Sequence, residues 1–187
     1  GISKRHGRLD VLINNAYAGA SGGFDVSTPD SFMDATDVVV SAAFRCLKAA
    51  EPIMRAAVKS AGHASVINVA SMYGLVSPHH KVYPSVDEAN SPAYGAAKAA
   101  LIQFTRYAAC EWAEAGIRVN AISPGPFPPL GIADSEPEFY NALVDRTPMG
   151  RIGMPDEIRG VILFLASDAS SYVTGANICV DGGWTSW

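Results

Sequence analysis

Residues 64–71 read ASVINVAS, a run rich in apolar and β-branched residues that ends in a serine. The β-branched residues predict a strand over residues 64–69. Three further short runs of this kind predict strands at residues 10–14, 118–122 and 177–180. The first of them, DVLIN, is typical of a strand that is buried on both faces of a parallel sheet.

Long alanine-rich stretches with helical spacing of their apolar residues separate these strands. The spacing predicts helices over residues 29–59 and 91–115, and Thr28 is placed to cap the first of them. Pro52 predicts a kink or a break inside that first helix. Two shorter helical segments are predicted at residues 136–145 and 155–166. Strands that alternate with helices in this way predict an α/β fold with a parallel sheet.

The number of strands is small for a dinucleotide-binding sheet, which has about six strands in two halves. The sequence also has no G-x-G-x-x-G turn, and its first residue is Gly1 rather than a methionine. We therefore expect a Rossmann-like doubly wound parallel sheet that is truncated at the N-terminus. In this interpretation residues 1–187 form a single domain, the C-terminal portion of a longer Rossmann-type domain.

The composition of the 187 residues argues against several classes of protein. The formal net charge is −4 and 49% of the residues are hydrophobic, which argues against disorder and against a nucleic-acid partner. The longest apolar run, residues 161–166, is far shorter than the roughly 20 residues of a membrane span, so no membrane partner is expected.

The cysteines and histidines predict neither a disulfide framework nor a metal site. Cys46, Cys110 and Cys179 are widely spaced, without a CxxC motif, and are expected to be small buried side chains in a cytoplasmic protein. His79 and His80 have no identifiable partners for a metal ion, so no metal is expected.

Chemistry-bearing residues follow the predicted strands, where α/β sheets place their sites. Ser71 comes directly after the strand at 64–69, and Tyr94 and Lys98 lie four residues apart near the start of a predicted helix. Residues at positions i and i+4 share a helix face, and a nearby cation lowers the pKa of a phenol. The three side chains therefore suit proton transfer to a carbonyl or from an alcohol.

The order of these motifs resembles that of the short-chain dehydrogenase/reductase family over essentially the whole chain. The segments that carry the resemblance are GRLDVLINNA (7–16), INVAS (67–71), SPAYGAAKAAL (91–101), GIRVNAISPGP (116–126), GRIGMPDEI (150–158) and TGANICVDGG (174–183).

The resemblance implies hydride transfer between NAD or NADP and an alcohol or carbonyl substrate. It implies that Tyr94 is the general acid/base, that Lys98 lowers the pKa of Tyr94 and binds the nicotinamide ribose, and that Ser71 orients the substrate oxygen. A homodimer or homotetramer is also implied. The further positions that the resemblance places beside the cofactor are Asn14, Ala16, Pro124 and Gly125.

Four departures from the family pattern stand out. The opening half with its Gly-rich pyrophosphate turn is missing, which corresponds to roughly 70–90 residues. Tyr17 replaces the glycine of an NNAG motif, and Val39 stands where the family has a fourth catalytic residue, an asparagine. The segment 77–90 is longer than the corresponding loop of the family and lies at the expected mouth of the substrate site.

These departures leave alternatives open. Tyr17 and Val39 suggest a family member that is retained as a non-catalytic binding or scaffold protein. The long segment 77–90 suggests instead an active enzyme with a bulky polar substrate, such as a sugar or polyol. A truncated sheet would expose the strand at 10–14 as an apolar edge, which predicts association with another chain.

Overall fold

A four-stranded parallel sheet forms the centre of the molecule. The structure is a computed structural model, which describes residues 1–17 and 21–187. The strands pair in the order β1-β2-β3-β4, and every pair is parallel. Their bounds are Val11–Asn14 (β1), Ala64–Val69 (β2), Ile117–Pro124 (β3) and Asn177–Val180 (β4). The prediction of an α/β fold with a parallel sheet is confirmed.

Seven helices connect and flank the described strands. Their bounds are Ile2–His6 (α1), Pro29–Thr36 (α2), Ala42–Ala61 (α3), Pro92–Trp112 (α4), Ile132–Ser135 (α5), Pro137–Arg146 (α6) and Glu157–Ala166 (α7). One wider, π-helical turn at Asp37–Ser41 joins α2 to α3, so the two form one continuous helical segment. The short helices α1 and α5 have no counterpart in the sequence-based prediction, because neither has enough residues to show a periodic pattern.

The two long helical segments begin at the caps that the sequence suggests. The hydroxyl of Thr28 accepts a hydrogen bond from the amide of Ser31, and Ser31 caps Thr28 in return. The hydroxyl of Ser91 accepts from the amide of Tyr94 at the start of α4. Pro52 lies inside α3, which continues to Ala61, so the helix does not break there.

Helices cover both faces of the sheet, as a doubly wound fold requires. On one face, Val66 of β2 and Val119 of β3 pack against α3 and α4. On the other face, Ile67 and Ile122 pack against Leu165 of α7. Because alternate residues of a strand point to opposite faces, each central strand contributes to both clusters.

Two sequence-based expectations are wrong. The strand predicted at residues 118–122 ends too early, because β3 runs to Pro124, which lies opposite Val180. A proline is tolerated there because it occupies the end of the strand. The cysteines were expected to be buried, but Cys46, Cys110 and Cys179 are all exposed and unbridged.

Two further features of the described residues concern the surface. Ile13 of the edge strand β1 is 45% exposed, as expected for an apolar strand that lacks a neighbour on one side. None of the described helices is both long enough and apolar enough to cross a membrane.

Candidate active site

The carboxyl ends of β2 and β3 and the first turns of α4 bring the predicted reacting residues together. Ser71 follows β2 and is 5% exposed, and Lys98 on α4 is 3% exposed. Tyr94, one turn before Lys98, is partly buried. Parallel strands place their carboxyl ends at one edge, so the position of these residues follows from the topology of the sheet.

Two glycines allow α4 to approach the turn after β2 closely. A Cβ atom at Gly95 would lie 2.8 Å from the carbonyl oxygen of Tyr73, and one at Gly74 would lie 2.9 Å from the carbonyl carbon of Lys98. Unlike the end of a flexible side chain, these backbone atoms cannot move away to make room for a Cβ atom. These glycines therefore set the distance between the Ser71 turn and the helix that carries Tyr94.

The hydroxyl of Tyr94 is a neutral group in a partly apolar setting. Burial raises the pKa of Tyr94, while hydrogen bonding with the hydroxyl of Ser71 acts in the opposite direction. The expectation from the sequence was a pKa lowered by Lys98, and the structure has the opposite direction. The reason is that the free-energy cost of removing a phenolate from water exceeds the stabilisation that these neighbours provide.

The ammonium of Lys98 has a fixed position beside this phenol. Its Nζ atom donates to the carbonyl oxygen of Val69 at 2.7 Å. It lies 5.8 Å from the ring centroid of Tyr94 and 6.0 Å from that of Tyr17. Burial lowers the pKa of Lys98 to about 8, so the side chain remains a cation at neutral pH.

Tyr17, which stands in place of a family glycine, packs directly on the candidate acid/base. Its ring meets that of Tyr94 edge to face, with 4.8 Å between centroids. Burial raises the pKa of Tyr17, and the neighbouring Tyr94 adds to this rise. An aromatic ring thus borders the reacting residues on the side of β1.

Val39, at the position of the family asparagine, is a core residue. It is 3% exposed, lies in the π-helical turn between α2 and α3, and packs with Ala97 and Leu101 of α4. An isopropyl group has no donor or acceptor. This position therefore cannot hold a proton-relaying water by its side chain.

Asn14 and Ala16, predicted to border the cofactor, lie at the carboxyl end of the edge strand. The side-chain amide of Asn14 donates to Asn68 at 2.8 Å, and Asn68 donates to Thr105 at 2.8 Å. This chain of hydrogen bonds ties β1 to α4. Ala16 is exposed, and both residues line a cavity of about 200 Å³ together with Val39.

Pro124 and Gly125 end the neighbouring strand at the same edge. A Cβ atom at Gly125 would lie 2.5 Å from the Cα atom of Asp181, so only glycine fits this approach of two backbones. The amide of Gly125 donates to the carbonyl oxygen of Val180. A cavity of about 620 Å³ opens beyond this point, lined in part by Pro126, Asp181 and their neighbours, and it contains none of Ser71, Tyr94 and Lys98.

A second group of tyrosines forms a wall beside Tyr94. The amide of Asn90 donates to the hydroxyl of Tyr83 at 2.9 Å, and that hydroxyl donates to the hydroxyl of Tyr73 at 2.8 Å. Tyr73 is 5% exposed, and its ring centroid lies 6.5 Å from that of Tyr94. Burial raises the pKa of Tyr73, and the hydrogen bond with Tyr83 raises it further.

The long segment that supplies Tyr83 is attached at its far end to the loop after β1. Asn90 pairs with Ser21 in an isolated antiparallel bridge, and the amide of Gly22 donates to the carbonyl oxygen of Ala89. The segment is therefore bound to both sides of the candidate site. Sequence reasoning noted its length but missed Asn90, because only the fold brings its amide to Tyr83.

Chemically, the arrangement offers a protonated phenol, a hydroxyl beside it and a buried cation. Such a set can donate a proton to a developing alkoxide and can stabilise the phenolate that remains. The glycine pair 74 and 95 is a further functional feature that sequence reasoning missed. Its only signal in the sequence is position: Gly95 directly follows Tyr94, and Gly74 comes three residues after Ser71.

Comparisons with known proteins cover nearly the whole chain. The family described as enoyl-(acyl carrier protein) reductase matches residues 1–185. A tropinone reductase homologue from Arabidopsis thaliana is 37% identical over 185 residues, which are 98% of this chain and 56% of that protein. The chain thus spans little more than half the length of this relative.

Solved structures give a similar result. A short-chain dehydrogenase from Leptospira borgpetersenii with bound NAD+ is 31% identical, with a TM-score of 0.82 over 98% of this chain and 68% of that one. A gluconate 5-dehydrogenase from Burkholderia cenocepacia in complex with NADP and tartrate is also 31% identical, with a TM-score of 0.84. Here the match covers 100% of this chain and 68% of the dehydrogenase.

Proposed function

Because the chain belongs to the short-chain dehydrogenase/reductase family, we propose that it is the substrate-side portion of an NAD(P)-dependent oxidoreductase. The reaction is hydride transfer between the cofactor and an alcohol or carbonyl substrate. The observation that carries the proposal is the meeting of Tyr94, Ser71 and the cation Lys98 at one edge of the sheet.

In the direction of reduction, Tyr94 donates its proton to the substrate oxygen as that oxygen gains negative charge. The raised pKa keeps Tyr94 protonated at neutral pH and so ready for this step. Ser71 donates a hydrogen bond to the same oxygen and holds it in place. The charge of Lys98 then stabilises the phenolate of Tyr94 until a proton from solvent restores it.

The residues present fit the nicotinamide end of the cofactor. Lys98 uses one of its three protons on Val69 and retains two for ribose hydroxyls. Asn14, Ala16 and Pro124 border the same edge. When bound, NADH or NADPH supplies the hydride.

The pyrophosphate of the cofactor has no G-x-G-x-x-G turn to bind in this sequence. We infer that the 187 residues alone bind NADH and NADPH weakly. A fluorescence titration of this chain that gave micromolar affinity would contradict this inference.

The proposed substrate is polar, such as a sugar or polyol. The amide nitrogen of Asn90 can only donate a hydrogen bond, so the hydroxyl of Tyr83 accepts from it. The hydroxyl of Tyr83 in turn donates a hydrogen bond to the hydroxyl of Tyr73. The proton of Tyr73 is then free to bond a second substrate oxygen next to Tyr94. The likeness to a gluconate 5-dehydrogenase supports the same class.

A substrate panel tests the proposal on the protein encoded by the complete reading frame. Sugars, polyols and sugar acids are compared with sterols and fatty acyl carbonyls, and oxidation or reduction of NAD(P) is followed at the nicotinamide absorbance band. We expect turnover with the hydroxylated compounds. Turnover of only the apolar carbonyls would contradict the assignment of the substrate class.

The alternative is a family member that binds partners without catalysis. Tyr17 beside Tyr94 and the apolar Val39 favour it, because both differ from the family pattern at the site itself. The same panel separates the two functions. Absence of turnover with every compound, from a protein that still binds NADH, would favour the non-catalytic function.

We also propose that the protein self-associates as a homodimer or homotetramer in the cytoplasm. The outer faces of α3 and α4 expose Phe44 (49%) and Tyr107 (67%), and the edge strand β1 exposes Ile13. Aromatic side chains of this size are enriched at interfaces. Sedimentation that gave a stable monomer would contradict the proposal.

A further inference from the structure

Arg146, the last residue of α6, has a buried Nε atom with no hydrogen-bond partner in the part of the chain that the structure describes. Arg118 shares this feature, but its other guanidinium nitrogens donate to Ser170 and to a backbone carbonyl oxygen. None of the ion pairs between described residues includes Arg146. By contrast, Arg151, five residues later, binds Glu157 through two hydrogen bonds of 2.7 Å.

The guanidinium of Arg146 lies beside a buried aromatic ring. It is over the indole ring of Trp184, with 5.7 Å between the guanidinium carbon and the ring centroid. Trp184 is 1% exposed, so the ring beneath the guanidinium is part of the packed core. A cation that contacts an aromatic face can still donate hydrogen bonds to a ligand through its other N–H groups.

A surface cavity of about 400 Å³ opens at this arginine. Its lining includes Arg146 and Lys81, with His79 beside them and Asp145 as the one carboxylate side chain among the described residues that line it. Lys81 is exposed and takes part in no ion pair between described residues. Two permanent cations thus face one cavity in a chain whose net charge is −4.

Trp184, which lies under the guanidinium of Arg146, also contacts the wall of tyrosines beside Tyr94. The ring of Tyr73 lies 6.4 Å from that of Trp184 and 6.5 Å from that of Tyr94, centroid to centroid. The charge of Arg146 reaches this wall, because it opposes the rise in the pKa of Tyr73 that burial causes. Lys81 belongs to the long segment 77–90 that also supplies Tyr83.

We propose that Arg146 and Lys81 form a binding site for an anionic oxygen group, a carboxylate or a phosphate, at the outer rim of the substrate mouth. The planar edge of Arg146 offers two parallel N–H groups, which match two oxygens of such a group. Lys81, which lines the same cavity, supplies a second charge. Anion binding at this site does not depend on the proposed oxidoreductase activity.

Calorimetric titration of the 187-residue chain at constant ionic strength tests this site without any turnover. The probes are tartrate as a dicarboxylate, inorganic phosphate, and threitol as a neutral four-carbon polyol. We expect tartrate or phosphate to bind more tightly than threitol. Tighter binding of tartrate identifies a carboxylate subsite, and tighter binding of phosphate identifies a phosphate subsite.

Charge-removing variants locate the binding. We expect Arg146→Gln to weaken the preferred anion about tenfold or more, since it removes a charge-assisted pair of hydrogen bonds. Lys81→Gln should weaken it less. The matched control is Arg159→Gln, which removes an exposed arginine from α7 that pairs only with exposed Asp156 and should change affinity less than about twofold.

Two results would overturn the assignment: anions that bind no more tightly than threitol, or an equal loss of affinity in Arg146→Gln and Arg159→Gln. If Arg146→Gln lowers the melting temperature, the exposed Lys81→Gln decides instead. A loss of anion affinity in that variant supports the site, and unchanged affinity contradicts it.

Discussion

The two sides of the candidate site differ in how far they keep the family pattern. On the side of β2 and α4, Ser71, Tyr94 and Lys98 are all present and lie close together. On the side of β1, Tyr17 and Val39 stand in place of a glycine and an asparagine; Val39 is buried, and the partly exposed ring of Tyr17 contacts that of Tyr94. The residues proposed for proton transfer thus match the family pattern, whereas two residues on the proposed cofactor side depart from it.

A large effect is expected on the side of β2 and α4, at Ser71. Ser71→Ala removes the hydroxyl that lowers the pKa of Tyr94 and that is proposed to hold the substrate oxygen, so we expect kcat to fall by about 10²-fold or more. Steady-state kinetics of the complete protein measures the change. Ser77→Ala, at an exposed serine of the nearby segment, should leave kcat unchanged, and an equal loss in both variants would contradict the role of Ser71.

The close approach of α4 to the turn after β2 is tested by Gly95→Ala. The added methyl group would meet the carbonyl oxygen of Tyr73 at 2.8 Å, so we expect the free energy of unfolding to fall by about 1–3 kcal/mol. The control is Gly160→Ala in α7, where an added Cβ meets no described atom within 4 Å.

Alanine is the better helix former, so Gly160→Ala should instead raise the free energy of unfolding by about 0.5–1 kcal/mol. Urea denaturation measures both variants. Equal behaviour of the two would show that Gly95 is not needed for close packing.

A smaller effect is expected on the altered side, at Tyr17. Tyr17→Gly restores the family residue and removes a ring that borders Tyr94 and Lys98. We expect a severalfold gain in affinity for NADH or NADPH, measured by fluorescence titration. Tyr172→Gly, at a fully exposed tyrosine, should have no effect, and a loss of affinity in Tyr17→Gly would show that the ring helps to bind the cofactor.

Lys98 is expected to cause a pH dependence of stability. Its pKa is about 8 in the folded chain against 10.5 as the ordinary value. Between these values the unfolded chain binds more protons, so the contribution of Lys98 to the free energy of unfolding rises with pH. Below pH 8 the lysine is charged in both states, and the full cost of burying the cation remains.

Lys98→Met cannot titrate and lacks this rise. We therefore expect the stability of the wild type relative to Lys98→Met to increase from about pH 8 to pH 10, as measured by urea denaturation. A constant difference across this range would mean that Lys98 keeps an ordinary pKa in the folded chain.

The sequence predicted the sheet and the positions of the reacting residues well, because both follow from local patterns. β-branched runs marked β2 and β4 to the residue, and the spacing of Tyr94 and Lys98 on one helix face required only the helical repeat. The direction of the pKa of Tyr94 could not be predicted in this way. It depends on burial by residues distant in sequence, such as Tyr17 and Tyr73.

The wall of tyrosines beside Tyr94 could not be predicted from the sequence either. Asn90, Tyr83 and Tyr73 form a chain of hydrogen bonds only because the segment 77–90 folds back over the turn after β2. The unpaired guanidinium of Arg146 is likewise a property of packing on Trp184. No periodicity or motif in the sequence indicates either arrangement.

The central claim is that Tyr94, and not one of the tyrosines around it, is the proton donor. The most direct measurement is kcat of Tyr94→Phe beside that of Tyr73→Phe, in the complete protein and with the best substrate of the panel. We predict that Tyr94→Phe loses about 10²-fold to 10⁴-fold, whereas Tyr73→Phe changes mainly KM. Full activity of Tyr94→Phe would contradict the account.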